Sequence, residues 1–172
     1  MQKIFKEKEQ VNKKQQEFPE AELIRCSITV RKMDLPQSIT MTKRSLLRWF
    51  CLSVGIISEK ESRRTAIEII DSLFYFLFNK KINPSAEQIK KHLEEKKGIK
   101  TSERLVRYHL DKLTEIKILE KRGRGYAINA APQGERDDFV AAFEYHLKNE
   151  FEQSLKQILF ALEKLIEKYK ES

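Results

Sequence analysis

Glycine and proline are scarce in this chain, at 5 and 4 among 172 residues. So few turn and breaker residues argue against an all-β or low-complexity protein and leave a mostly helical one. Cysteine is scarcer still. Cys26 and Cys51 form no CxxC pair, which removes the usual zinc spacing. Both read as small core residues, and a reducing, cytoplasmic home is the expectation. Long apolar runs are missing as well. The stretches "WFCLSVGII" and "LFYFLF" are too short to span a bilayer, and "MQKIFKEKEQVNKKQQ" has no apolar core of signal-peptide length, so no membrane partner is expected. There is no Walker loop, no GxGxxG and no HExxH. His92, His109 and His146 fall on three separate expected helices with no paired carboxylate motif. The chain is therefore expected not to be an enzyme and to use no metal or cofactor.

What is abundant is charge. Asp, Glu, Lys and Arg make up 35% of the chain, against about a quarter in an average domain, and the net charge is +8. The excess is uneven. Residues 1–64 carry 14 basic and 8 acidic groups, residues 82–126 carry 12 and 7, and residues 134–172 carry 6 and 9. A basic body with an acidic tail points to a polyanionic partner, of which nucleic acid is the commonest; the alternative is that the charge only serves solubility.

Along the chain, residues 1–20 are rich in Lys, Glu and Gln and read as a flexible arm. In "LIRCSITVR" the apolar positions Ile24, Cys26, Ile28 and Val30 alternate with Arg25, Ser27, Thr29 and Arg31, the period of a half-buried strand. Its partner would be a later hairpin or a second copy of the chain. A helix follows from Thr42, its expected cap, to Gly55, its stop, with Leu46, Leu47, Phe50, Cys51 and Val54 as its apolar stripe. Another, over 65–79, is apolar on most sides. Ser85 with Gln88 three places on forms a capping box for a short helix ended by Gly98.

The tail is expected to be one long helix over 134–170, roughly 50 Å long at 1.5 Å per residue. Phe139, Phe143, Leu147, Phe151, Leu155, Ile158, Leu162 and Leu165 recur at steps of three and four. A helix that long overhangs so small a domain, so its stripe is expected to form a dimer interface with a second chain, as a coiled coil or bundle. The competing expectation folds it back onto Leu47, Phe50 and the helix of 65–78.

The middle of the chain carries the sharpest pattern. "PSAEQIKKHLEEKKGIKTSERLVRYHLDKLTEIKILEKRGRGYAIN" reads as short helix, turn, second helix over 102–115, and hairpin over 117–130. Val106, His109, Leu110 and Leu113, then Leu119, Gly123, Gly125, Tyr126 and Ile128, follow V-x-x-H-L-x-x-L and a Gly-x-Gly-Tyr hairpin. On these residues the chain resembles the winged helix-turn-helix superfamily, in particular prokaryotic and archaeal transcription regulators of the arsenic-repressor, multiple-antibiotic-repressor and PadR kinds. "TEIKIL" departs from the pattern: Ile116 and Lys117 stand where those regulators usually carry a Gly turn. The resemblance implies a mainly α fold with a small β-hairpin wing over 61–131, flanked by a strand-helix extension over 21–60 and the long C-terminal helix. It also implies sequence-specific binding of double-stranded DNA by a homodimer, with no effector identified.

The expected DNA contacts follow from chemistry. Thr101 and Ser102 at the helix start can bind phosphate, and Arg104, Arg107, Tyr108 and Lys112 lie off the apolar stripe to face the major groove. Arg122 and Arg124 at the wing tip reach the backbone or minor groove. The plainer alternative pairs Arg104 and Arg107 with Glu103 and Asp111 as a solvated face. Winged helices also serve as protein- or RNA-binding modules, which is the alternative function.

Overall fold

The computed structural model describes residues 18–59 and 64–171. Most of the expected arm, residues 1–17, and the link 60–63 lie outside them. A 3-10 turn at Pro19–Leu23 leads into extended chain, and a single helical turn at Gln37–Thr40 precedes helix α1 (Lys43–Ser53). Thr42 caps α1, its hydroxyl oxygen accepting from the Ser45 N–H at 3.1 Å. Leu47 and Cys51 are the buried part of its stripe. Burial among apolar neighbours pushes the Cys51 thiol up to about 12, so it stays protonated and inert at neutral pH.

The expected strand over 24–30 does not form. These residues are extended but join no sheet, and Ile24 and Val30 are 69% and 62% exposed. The reason is a missing partner: the sheet has two strands, and this segment instead lies on the core through Ile28 and against Gly55 through Thr29, with its backbone bonded at its end. There the Arg31 N–H donates to the Ser53 carbonyl at 2.8 Å, and its guanidinium to the carbonyls of Leu52 and Ile57. Cys26 is accordingly half-buried rather than a core residue.

Helix α2 (Thr65–Phe74) is central, as its apolar sequence requires: Ile69, Ile70 and Leu73 are inaccessible. It runs into a π-helical turn, Tyr75–Asn79, where the Lys80 N–H reaches back to the Tyr75 carbonyl at 3.1 Å. Helix α3 (Ala86–Lys97) begins with the full capping box of Ser85 and Gln88 and ends on Gly98 in the left-handed conformation. Helix α4 (Glu103–Glu115) starts at the Ser102 cap, and packs on α2 and α3 through Val106, Leu110 and Leu113. Each such buried aliphatic side chain stabilises the fold by roughly 1.5–3 kcal/mol.

Strands β1 (Leu119–Arg122) and β2 (Gly125–Ile128) form the hairpin, with Arg122 opposite Gly125. Gly123 at φ +59° takes the first turn position, which selects a type II′ turn. Gly125 has a different reason: a Cβ there would lie 2.6 Å from the Asn83 carbonyl oxygen. That close approach lets the Tyr126 N–H donate to Pro84 at 2.9 Å and locks the wing against the start of α3. The missing turn glycine also has a structural answer. Lys117 itself adopts φ +61°, held by its N–H to Thr114 at 3.0 Å and by the Asn129 side-chain amide donating to its carbonyl at 2.8 Å.

Helix α5 (Phe139–Glu171) is the long C-terminal helix. Glu135, Asp137 and Asp138 precede it instead of occupying its first turn, and Asp138 caps it by accepting from the Ala141 N–H at 2.9 Å. Its two ends differ. Phe139 and Phe143, expected at a dimer interface, pack inward on their own chain: Phe139 lies 5.3 Å from Phe74 and Phe143 5.6 Å from Phe50, centroid to centroid. Leu147 is also half-buried, whereas every residue from Phe151 to Glu171 is exposed. The fold-back expectation thus holds for the first part of the helix, and the apolar residues beyond Phe151 lie open on the surface. Among the described residues no helix is long and apolar enough to cross a membrane.

Candidate nucleic-acid interface

Helix α4 turns one face to the core and the opposite face outward. On the outward face Arg104, Arg107, Tyr108 and Asp111 line a shallow depression with Glu103. Arg107 also lines a groove of about 320 Å³ with Ser85, Glu103, Lys121 and Arg124, so the helix and the hairpin tip share one concave surface. The Lys121 ammonium makes the link, 3.0 Å from the Asp111 carboxylate and 5.6 Å above the Tyr126 ring. Its hydrogen bond to Asp111, then the nearby Tyr126, raises the Lys121 pKa and keeps it charged.

The structure separates the expected contact residues into groups. Arg104 and Arg124 are exposed and without an ion-pair partner among the described residues. Arg107 is paired with Glu103 one helical turn away, and the Arg122 Nε donates to Glu120 at 2.7 Å. These are exposed pairs worth roughly 0–1 kcal/mol, so a phosphate can take over either cation at little cost. Tyr108 is 56% exposed, with the Lys112 ammonium 5.1 Å over its ring. That ammonium also donates to the Ile56 carbonyl at 3.3 Å, which draws Lys112 toward the N-terminal segment. Ser102 is exposed, but its oxygen accepts from the Leu105 N–H at 3.2 Å as the helix cap.

Thr101 does not offer its side chain for the expected contact. Its hydroxyl is buried and has no hydrogen-bond partner, so it is not presented to a phosphate. Lys121 was not among the expected contacts, yet it lines the same groove as Arg107 and Arg124. The run "KRGR", Lys121 to Arg124, carried that signal, but register was needed to show that Lys121 rather than Arg122 faces Asp111. His109 is buried in the core side of α4, in keeping with a structural residue.

A family model described as the ribonuclease R winged-helix domain matches residues 76–131. The matched segment runs from the π-helical turn through α3, α4 and the wing. The fold of this part is a winged helix, and such a domain is compatible with nucleic-acid binding. No curated protein matches the chain, and no solved structure matches it.

Proposed function

We propose that the chain is a nucleic-acid-binding protein, not an enzyme, and that its ligand is double-stranded DNA. In this reading it acts as a homodimeric transcriptional regulator that reads a specific sequence. One observation carries the reading: Arg107 of the outward helix and Arg124 of the wing line the same groove, with the unpaired Arg104 beside them. A helix of this size fits the major groove, where Arg can bind guanine O6 and N7 bidentately. The wing arginines then fall on the flanking backbone or minor groove. Glu103, Asp111 and Glu120 now hold three of the cations and would give way to phosphate.

The test is fluorescence anisotropy with mixed-sequence duplex DNA, single-stranded DNA and RNA over a salt series. The Arg104→Ala/Arg107→Ala and Arg122→Ala/Arg124→Ala double variants run beside the parent. Duplex is expected to bind tightest, and each double variant to reduce the slope of log K against log salt by about one to two. Duplex binding that is absent at low salt, or indifferent to both variants, sinks the reading. The name of the matching domain favours a second one, in which the same surface binds RNA. Tighter binding of RNA than of duplex DNA, lost in the same variants, would establish it.

A further inference from the structure

A second concave site lies away from the wing, between α1 and the end of α2. It is a cleft of about 710 Å³ walled by Trp49, Phe50, Phe74 and Phe78, with Lys43 and Asp71 at its rim. The walls are built, not incidental. The Phe74 ring lies tilted against its neighbours, 5.9 Å from Phe50 and 5.2 Å from Phe78. The Trp49 indole N–H is already engaged, donating to the Asp34 carbonyl at 2.8 Å, so the ring presents its apolar surface rather than a free donor. The π-helical turn at Tyr75–Asn79 forms one end of the cleft. Such turns recur at functional sites because the extra residue re-aims the side chains around it.

The rim decides the ligand's charge. Asp71 is shared by Lys43 at 2.8 Å and Lys97 at 2.5 Å; Glu68 is shared by Lys97 at 2.6 Å and Arg44 at 3.8 Å. Of this network only Lys43 and Asp71 line the cleft; behind them, among the described residues, it holds three cations against two carboxylates, an excess of one positive charge beside the rim. Both carboxylates are already held by two cations each, while Lys43 is mostly exposed and free to turn toward a second anion. A cleft of this size, mostly apolar with a few polar groups at one edge, has the character of a small-molecule site.

We propose that the cleft between α1 and α2 binds a planar, largely apolar small molecule that carries one anionic group, its rings against Trp49 and Phe78 and its anion at Lys43. This site is independent of the nucleic-acid reading: it shares no residue with the wing groove.

Trp49 is the single tryptophan of the chain, which makes it a local reporter. The full chain is titrated with 1-anilinonaphthalene-8-sulfonate and, in parallel, with neutral N-phenyl-1-naphthylamine, following Trp49 quenching and energy transfer to the dye. One saturable site is expected, with Trp49 quenched as the dye fills it. Lys43→Ala should raise the sulfonate Kd about threefold or more and leave the neutral dye unchanged, because it removes one largely exposed ion pair. Phe78→Ala should weaken both dyes, with circular dichroism confirming that it folds. The proposal is overturned if Trp49 does not respond, or if Lys43→Ala affects both dyes equally or neither. It is overturned too if Ile158→Glu on α5 abolishes binding, which would put the dye on that helix's exposed stripe. Absence of any binding would mean that the cleft is filled by another part of the chain or a second copy, and would likewise end it.

Discussion

The two halves of α5 have the same kind of sequence and opposite surroundings. Both repeat apolar residues at steps of three and four, yet Phe139 and Phe143 are packed in an aromatic cluster while Phe151, Leu155, Ile158, Leu162 and Leu165 lie open. The helical repeat explains the division. At 3.6 residues per turn, the inward residues Phe139, Phe143, His146 and Glu150 point one way, and the centre of the distal stripe is rotated from them by roughly a quarter to a third of a turn. The distal stripe therefore faces mostly away from the inward set, with half-buried Leu147, which points the same way as Leu165, at the edge where the two meet. It is also broad: Leu159 and Ile166 flank it and are exposed too. A face of that width suits packing against more than a narrow two-helix seam. Amphipathic periodicity alone shows that a face must be covered, and only its phase relative to the rest of the chain shows by what.

The strongest way to break the comparison is to remove the distal stripe. In the homodimer reading, the combined Leu155→Glu, Ile158→Glu and Leu162→Glu variant should turn a dimer into a monomer by sedimentation equilibrium. The dimer Kd should rise by more than about a hundredfold, since three buried aliphatic contacts are exchanged for charges. The melting temperature of the winged helix should stay within about 2 °C, because these side chains are exposed and stand outside the core cluster of the described residues. A parent chain that sediments as a monomer at tens of micromolar would leave the distal stripe without the partner assigned to it.

The proximal half should answer in the opposite sense. Phe143→Ala removes a half-buried ring 5.6 Å from Phe50 and 6.3 Å from Phe139, so a loss of about 2 kcal/mol is expected, below the full range for a buried Phe. For a chain of this length that lowers the melting temperature by about 4–8 °C. The mass in solution should not change at temperatures where the variant is folded. If instead Phe143→Ala dissociated a dimer and left the melting temperature alone, the inward assignment of this half would be wrong.

How far all this was legible in the sequence follows from which signals are local. The caps at Thr42 and Ser85, the Gly98 stop and the Gly123 turn were all readable, because each is a bond or a dihedral within a few residues. The strand over 24–30 was not, because alternation reports only that a segment suits an extended form, and a strand needs a partner that local sequence does not name. The outward face of α4 was legible as a set of residues, and the pairing of Arg107 with Glu103 was one of the two readings it offered. Glu120 also lies close enough in sequence to have been foreseen as the partner of Arg122. The pair of Asp111 with Lys121 depends on how α4 meets the wing. The aromatic cleft was hidden for the same reason: Trp49 and Phe78 are distant in sequence, and only packing of α1 on α2 brings them to one wall.

The smallest expected effect lies at the boundary between the two halves. Glu150 is the last half-buried residue of α5, and its carboxylate holds the Lys117 ammonium next to the left-handed turn before β1. The hydrogen bond from Lys117 to Glu150, followed by their opposite charges, raises the Lys117 pKa above its ordinary 10.5. A lysine whose folded pKa lies above its unfolded one adds stability that is complete below pH 10.5 and is lost as pH rises through the folded value. The Lys117 side chain is more than half exposed, so the pair is worth no more than about 0.5 kcal/mol. Glu150→Gln should therefore lower the melting temperature by about 1–2 °C at neutral pH and low salt. The difference should shrink in 1 M salt, where the screening length falls to about 3 Å. It should shrink again above pH 10.5, where the parent loses the charge that the variant never used. A difference that persists unchanged in high salt and at alkaline pH would mean that Glu150 anchors the inward half through packing and not through Lys117.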